Sequence, residues 1–194
     1  MADTILNSLN AARGALDKLI GNNSLLGAVD RAGGILIQAI ESGRRIYSCG
    51  NGGSMCQAMH FAEELSGRFR KDRPGLPAMA ISDPGHLTCV ANDFGYDQVF
   101  SRFLEAHGRA GDCLLGLSTS GASANILAAA RTARHLGLGV ISLTGAEDSP
   151  LGRLADVDIA LAGDLPGDRS QEQHLMVIHI LIELIERRLF PENY

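Results

Sequence analysis

The chain has 194 residues, 45% of them hydrophobic, and a formal net charge of −5. This length and apolar content suffice for one well-buried core, so we expect a single domain over residues 1–194. The acidic balance, with basic residues in runs no longer than a pair, argues against a nucleic-acid-binding surface. The longest strongly apolar tract, residues 175–185, is interrupted by two polar residues and falls short of the roughly 20 residues that cross a bilayer.

Cysteine usage and the N-terminus bear on the compartment. The four cysteines form no C-x-x-C pair, and Cys49, Cys89 and Cys113 lie in or beside apolar runs, as buried small hydrophobic residues do. This pattern favours a reducing cytoplasm over a disulfide framework. No secretory signal is visible, because the N-terminus carries Asp3 and lacks a basic segment. We therefore expect a soluble cytoplasmic protein without membrane contact.

Two helices are predicted at the start of the chain. Apolar residues recur at helical spacing over residues 4–20 and again over residues 24–42, where Ser24 is the expected N-cap. The chain is thus predicted to consist of an N-terminal helical pair, residues 1–43, followed by an α/β core, residues 44–194.

Short apolar runs alternate with helical patterns through this core. Five runs are strand candidates: residues 46–49, 78–82, 113–117, 138–143 and 157–161. Strands that alternate with helices predict an α/β fold with a doubly wound five-stranded parallel sheet, in which ligands bind beyond the carboxyl ends of the strands. The last helix, predicted over residues 170–189, is apolar on nearly every side, which indicates a central position or an interface between subunits. We favour the interface, and with it a symmetric homo-oligomer.

A serine-rich turn, Ser-Thr-Ser-Gly-Ala-Ser at residues 118–123, follows the third run and precedes an alanine-rich helical pattern. A helix start offers unpaired N–H groups and the positive end of the helix dipole, and with several hydroxyls it suits a phosphate group. Alternatively, Ser120 merely caps the helix and the other serines are ordinary turn residues.

A glycine-rich loop, Gly-Asn-Gly-Gly-Ser at residues 50–54, follows the first run. It lacks the Lys-Ser/Thr of a P-loop, and Met55 stands where the dinucleotide fingerprint needs its third glycine, so no nucleotide cofactor is expected. Its backbone can approach a ligand closely, while Asn51 and Ser54 can bind hydroxyls, which suits a sugar. A purely structural strand-to-helix turn is the alternative.

Polar residues at helical spacing follow this loop. His60 and Glu64 are one turn apart, with Arg68 a further turn on, and they form either a surface row of charges or half of a metal site. In the last helix, Gln171 and His179 are the other candidates. His179 is either a satisfied core histidine or the partner of a carboxylate such as Glu64, an arrangement that can transfer protons.

Together these segments resemble the phosphoheptose isomerases (sedoheptulose 7-phosphate isomerases) of the sugar isomerase (SIS) superfamily. The resemblance runs nearly end to end, over residues 50–54, 59–65, 72–75, 91–93, 118–121, 123–125, 168–169, 171–172 and 179. It implies an SIS-type, flavodoxin-like sheet and conversion of sedoheptulose 7-phosphate to D-glycero-D-manno-heptose 7-phosphate for lipopolysaccharide heptose biosynthesis. Departures at residues 55–57 and 84–86, and a loosely matched segment at residues 163–167, concern loop shape.

The resemblance also implies roles for single residues. Glu64 is the implied base and His179 the implied acid of a proton transfer between C1 and C2 of the sugar. The implied phosphate ligands are Ser118, Thr119, Ser120 and Ser123. The implied sugar ligands are Asn51, Gly52, Gly53, Asn92, Asp93, Asp168 and Gln171, and we add Arg68 as a candidate. One zinc ion is implied at His60, Glu64, Gln171 and His179, in a homotetramer with sites at subunit interfaces.

Two other functions remain open at this point. The chain could be a non-catalytic SIS-type regulator that binds a sugar phosphate, similar to the replication-initiation assembly factors, or an isomerase of another phosphosugar. Glu64 and His179 favour an enzyme, because those regulatory relatives lack this acid–base pair.

Overall fold

A computed structural model describes residues 1–161 and 166–194. Within these ranges the α-helices are Ala2–Ile20 (α1), Asn23–Glu41 (α2), Gly53–Ser66 (α3), Pro84–Phe94 (α4), Ser101–His107 (α5), Ala124–His135 (α6) and Gly167–Leu189 (α7). The strands are Ile46–Gly50 (β1), Ala78–Ala80 (β2), Cys113–Ser118 (β3), Gly139–Thr144 (β4) and Val157–Ala160 (β5). All five predicted strands are present, with ends that differ from the prediction by no more than two residues.

The strands form one parallel sheet in the order β2-β1-β3-β4-β5. This is the doubly wound, flavodoxin-like topology that the sequence predicts. The strand order reverses between β1 and β3, and in such sheets the ligand crevice lies at the carboxyl ends of those two strands. The register pairs Gly50 with Leu117, so β1 and β3 end side by side. The glycine loop and the serine turn, which follow these two strands, therefore lie at the same edge.

Helices cover both faces of the sheet. One apolar core packs β1, β3, β4 and β5 against α2, α3 and α7, and the other packs the opposite face against α4, α5 and α6. The strands β1 and β3 are buried along their whole length, as expected for parallel strands covered on both sides. No helix of the described ranges has the length and apolar character that a membrane span requires.

The apolar pattern of α7 is explained largely within one chain. Val177, Ile178, Leu181 and Ile182 are all buried in the core formed with α2 and α3, whereas Ile180 is 42% exposed. Exposed large apolar residues are concentrated instead on α1, at Ile5, Leu6, Leu9 and Ile20. The composition of α7 is therefore weaker support for a subunit interface than the sequence suggested, and α1 is stronger support.

Two helix ends differ from the prediction. The N-cap of α2 is Asn22, whose side chain accepts a hydrogen bond from the Leu25 N–H at 3.0 Å, and not Ser24. Helix α3 ends at Ser66 and not near residue 69, so Arg68 lies beyond the helix and is exposed. The row of residues one turn apart that the sequence suggested therefore stops at Glu64.

The cysteine prediction is confirmed in two positions and wrong in one. Cys49 and Cys113 are buried in the core, where burial raises the pKa of both thiols to about 12. Cys89 is exposed, because it lies on the side of α4 that faces the solvent. All four cysteines, including the exposed Cys56, are free thiols.

Candidate active site

The glycine loop joins β1 to α3 and is shaped by two glycines. Gly52, the N-cap of α3, has a φ of +54°, a conformation that side chains with a Cβ rarely adopt. At Gly53 a Cβ would lie 2.7 Å from Nε2 of Gln171, so the start of α3 approaches α7 closely. The predicted sugar ligands Gly52, Gly53 and Gln171 are thus brought together.

Asn51 connects this loop to the helix that follows the serine turn. Its Nδ2 donates to Oδ1 of Asn125 at 2.9 Å, and Nδ2 of Asn125 donates back to Oδ1 of Asn51 at 2.8 Å. The hydroxyl of Tyr96 donates to the same Oδ1 of Asn51 at 3.0 Å. The two loops at the carboxyl ends of β1 and β3 are therefore held together by paired amides.

The serine turn gathers hydroxyls around Ser118, the last residue of β3. The Oγ of Ser118 lies 3.3 Å from that of Ser123 and 3.5 Å from that of Ser120, and it accepts the Gly121 N–H at 3.1 Å. Thr119, half-buried, follows directly and accepts the Gly145 N–H on its carbonyl at 3.0 Å. The turn therefore brings three serine hydroxyls together beside the start of α6, and Thr119 belongs to the same segment.

The capping alternative for Ser120 is wrong. Its Oγ accepts the Ala122 N–H at 3.2 Å, a contact within the turn itself. The N-cap of α6 is Ser123, whose side chain makes no capping hydrogen bond. The hydroxyl of Ser123 remains available to a ligand at the N-terminus of a twelve-residue helix, the position that favours an anion.

A second cluster forms where α3 and α7 pack together. The Nε2 atoms of His60 and His179 are 2.9 Å apart, and Nε2 of His60 is 3.5 Å from Oε1 of Glu64. One donor atom of each residue lies within 4.8 Å of the other two. His179 therefore joins the predicted pair of His60 and Glu64 in one His-Glu-His group that can hold a metal ion.

Glu63 orients this group, and the sequence analysis did not single it out. Its Oε1 lies 3.0 Å from Nδ1 of His60. A carboxylate in this position holds the imidazole proton on Nδ1, which leaves the lone pair of Nε2 directed at the centre of the cluster. The sequence contains adjacent glutamates at positions 63 and 64. Their spacing does not indicate which of them belongs to the cluster and which one orients His60.

The environment moves two pKa values towards each other. Burial raises the pKa of Glu64, and the Glu63 carboxylate adds to the rise. Burial lowers the pKa of His179, and the charges of His60 and Arg70 lower it further. A carboxylate with a raised pKa accepts protons more readily and an imidazolium with a lowered pKa donates them more readily, so the pair suits acid–base catalysis.

The other predicted ligands are less closely grouped. Gln171 contacts Gly53, and its main-chain oxygen accepts a hydrogen bond from Nε2 of Gln57 at 2.6 Å. Eight residues, or about 12 Å of helix rise, separate Gln171 from His179 along α7. The remaining four predicted ligands, Arg68, Asn92, Asp93 and Asp168, are exposed and lie outside both clusters.

No sequence pattern singled out Gln57 or Tyr96 as a site residue. Gln57 is buried between α3 and α7, and Tyr96 belongs to a single 3₁₀ turn after α4. Their hydrogen bonds to Gln171 and Asn51 join positions 114 and 45 residues apart. No local pattern signals contacts over such distances.

Comparisons with known proteins agree with this geometry. The sequence model of the SIS domain family matches residues 10–145. The phosphoheptose isomerase of Yersinia pestis (strain Pestoides F) is 51% identical over 187 residues, covering 96% of this chain and 97% of that protein. The solved phosphoheptose isomerase of Francisella tularensis superposes with a TM-score of 0.90 at 32% identity, covering 96% of this chain and 98% of that one. The one from Neisseria gonorrhoeae gives 0.82 at 34%, covering 95% and 96%.

Proposed function

We propose that this chain, which belongs to the phosphoheptose isomerase family of SIS-domain proteins, converts sedoheptulose 7-phosphate to D-glycero-D-manno-heptose 7-phosphate. The chain is a phosphosugar isomerase. The observation that carries the finer proposal is the Glu64 and His179 pair, whose shifted pKa values suit a base and an acid. The relatives' names supply the substrate.

The phosphate is bound at the serine turn, by Ser118, Thr119, Ser120 and Ser123. Clustered hydroxyls and the N-terminus of α6 support this assignment. The phosphate lies at the end of the sugar remote from the reacting carbons, so its binding energy serves to fix the reacting end over the catalytic pair.

The reaction is a proton transfer between C1 and C2. Glu64 accepts the C1 proton of the ketose while His179 donates a proton to the C2 oxygen, giving an enediol. Return of a proton to C2 and loss of the proton from the C1 oxygen complete the aldose. General acid–base catalysis of this kind contributes typically about 10² to 10⁴-fold.

The His-Glu-His group also fits zinc. Two imidazole nitrogens and a carboxylate oxygen are a donor set of catalytic zinc sites, and Glu63 supplies the carboxylate that such a histidine usually contacts. We infer one zinc ion per subunit, held by His60, Glu64 and His179. Gln171, the fourth ligand that the resemblance implies, does not reach this group from the same chain, because about 12 Å of helix rise separates it from His179 and its side chain lies against Gly53. When bound, zinc supplies Lewis-acid polarisation of the sugar carbonyl. A ligand carboxylate keeps a second oxygen that can act as the base.

The sugar hydroxyls are bound by residues around the crevice. Asn51, Gly52 and Gly53 lie together in the glycine loop, and Gln171 lies against Gly53. We assign the exposed residues Asn92, Asp93 and Asp168 to the rim. Arg68 is not assigned to this rim, because it lies beyond the C-terminal end of α3, about 20 Å of helix rise from the glycine loop. We infer that a single SIS domain over residues 1–194 assembles into a homotetramer, in which subunit contacts complete this rim. The exposed apolar side of α1 supports such an assembly.

We infer a cytoplasmic location, which the free thiols at all four cysteines support, and a role in the synthesis of heptose for lipopolysaccharide, as the resemblance implies.

The test of the proposed function is turnover of sedoheptulose 7-phosphate by the full chain, assayed with and without added zinc. Pentulose and hexulose phosphates serve as competing substrates. We expect the heptulose phosphate to have the highest kcat/KM. No turnover in either condition, or preference for a shorter sugar, would contradict the proposal.

A further inference from the structure

A buried ion pair joins the segment after α3 to α7. Nε of Arg73 donates to Oε1 of Glu186 at 2.7 Å, and the two side chains are 1% and 0% exposed. The hydroxyl of Tyr194 donates to the other carboxylate oxygen, Oε2, at 2.9 Å. Burying a charged pair is costly unless hydrogen bonds satisfy the remaining polar atoms, so the contacts of this pair indicate what it does.

The other donors of Arg73 are directed at the end of α3. Its Nη2 donates to the main-chain oxygen of Glu64 at 2.6 Å, and its Nη1 donates to those of Leu65 at 2.7 Å and Gly67 at 3.1 Å. The last carbonyls of a helix have no partner within the helix, and a positive charge is favourable there. Helix α3 has no basic residue in its own last turn. Arg73 therefore caps α3 from outside, at the residue that carries the proposed base.

Glu186 anchors the same guanidinium to α7. It lies seven residues after His179, which places both on one side of the helix about 10 Å apart along its axis. A single side chain thus connects the backbone of Glu64 to the helix that carries His179. Because the two histidine Nε2 atoms are 2.9 Å apart, a relative shift of α3 and α7 would separate the catalytic group.

We propose that Arg73 and Glu186 are positioning residues, which hold α3 and α7 at the spacing that the reaction of Glu64 and His179 requires. This inference rests on the proposed isomerase function. Neither residue is assigned contact with the substrate. The expected signature is a loss of kcat with little change in KM, since the serine turn that binds the phosphate lies on other elements.

The test compares three full-length variants. The first variant combines Arg73→Met with Glu186→Leu and so replaces the ion pair by apolar side chains of similar length. Such a replacement often preserves folding, whereas removal of one partner alone leaves an unpaired buried charge. Tyr194→Phe removes one hydrogen bond to Glu186 and keeps the ring. Leu104→Ala, a fully buried change in the core on the opposite face of the sheet, is the control for lost stability alone.

Initial rates with sedoheptulose 7-phosphate are divided by the folded fraction measured by circular dichroism. We expect the double variant to lose about 10²-fold in kcat, as misplacement of catalytic groups by about 1 Å does, and to keep its KM within about twofold. Tyr194→Phe should lose several-fold in kcat, and Leu104→Ala should lower Tm while kcat stays unchanged.

Unchanged kcat in the folded double variant would overturn the inference while leaving the proposed function intact. If the double variant does not fold, Tyr194→Phe decides, and a kcat equal to that of the original chain would overturn the inference. Failure of the unaltered chain to turn over the sugar would instead contradict the proposed function, and the positioning role with it.

Discussion

At the scale of single residues, the proposed site centres on a carboxylate whose pKa is raised and a histidine whose pKa is lowered. Burial and the Glu63 carboxylate raise the pKa of Glu64, whereas burial and the charges of His60 and Arg70 lower the pKa of His179. The sequence could identify both residues as candidates. It could not show that His60, 119 positions from His179, completes the cluster, because this contact depends on how α3 packs against α7.

Replacement of Glu64 by glutamine should separate chemistry from binding. Glu64→Gln keeps the shape but cannot accept a proton, so we expect kcat to fall by at least about 10²-fold. The serine turn is unchanged, so titration calorimetry should still detect sugar-phosphate binding. Glu105→Gln, at an exposed carboxylate of α5, is the control. Loss of binding together with turnover would mean that Glu64 is chiefly structural.

His174 should make folding stability depend on pH. It is fully buried on α7, neither ring nitrogen makes a hydrogen bond of ordinary geometry within the described residues, and burial lowers its pKa to about 4 despite the opposing effect of the Thr144 backbone. The unfolded chain, with a pKa near 6.5, binds the proton more readily between pH 4 and 6.5. This contribution to stability is therefore complete above pH 6.5 and is lost as the pH falls towards 4.

The expected loss between pH 7.5 and 5 is about 2 kcal/mol of unfolding free energy, measured by urea denaturation. His174→Leu should reduce this dependence, whereas His135→Gln, at an exposed position of α6, should not. Equal pH dependence in the original chain and His174→Leu would show that His174 does not titrate as described.

At the scale of elements, apolar runs located all five strands, because parallel strands buried on both faces are apolar along most of their length. Helix ends were less predictable. The end of α3 is set by Gly67 and by the guanidinium of Arg73, a side chain supplied from beyond the helix. Likewise, Asn22 and Ser24 are both good caps, and only the Leu25 contact distinguishes them.

The serine turn should tolerate no side chain at Gly121. Its φ is +61°, and a Cβ there would lie 2.3 Å from Cβ of Ser149. Gly121→Ala must distort the turn, so we expect KM for the phosphosugar to rise at least about tenfold as phosphate contacts are lost. Gly34→Ala, on the exposed side of α2 with no atom within 4 Å of the added Cβ, is the matched control. An unchanged KM in Gly121→Ala would remove the serine turn from the binding site.

At the scale of the whole molecule, the topology brings the functional segments to one edge of the sheet. The glycine loop, the serine turn and the starts of α3 and α6 meet at the carboxyl ends of β1 and β3, as the doubly wound order requires. This much follows from the order of strands and helices in the sequence. The exposed apolar residues of α1 belong to the same scale, since one chain does not bury them.

A charge on the exposed side of α1 should disrupt the proposed tetramer. Light scattering of the original chain should give four times the 20.5 kDa of one chain. Leu9→Glu places a carboxylate among the exposed apolar residues and should lower this mass, because burying an unpaired charge at an interface is costly. Asn7→Glu, on the other side of the same helix, is the control. A monomeric original chain, or an unchanged mass in Leu9→Glu, would contradict this role of α1.

Glu64 and His179 are proposed to isomerise a phosphosugar by proton transfer. The most direct test of this proposal is incubation of the full chain with sedoheptulose 7-phosphate in deuterated water, followed by NMR of the aldose product. Proton transfer through Glu64 predicts deuterium at C2 of the product, at a rate that falls with Glu64→Gln. Product that forms at the normal rate without deuterium at C2, or deuterium incorporation that persists unchanged in Glu64→Gln, would contradict the account.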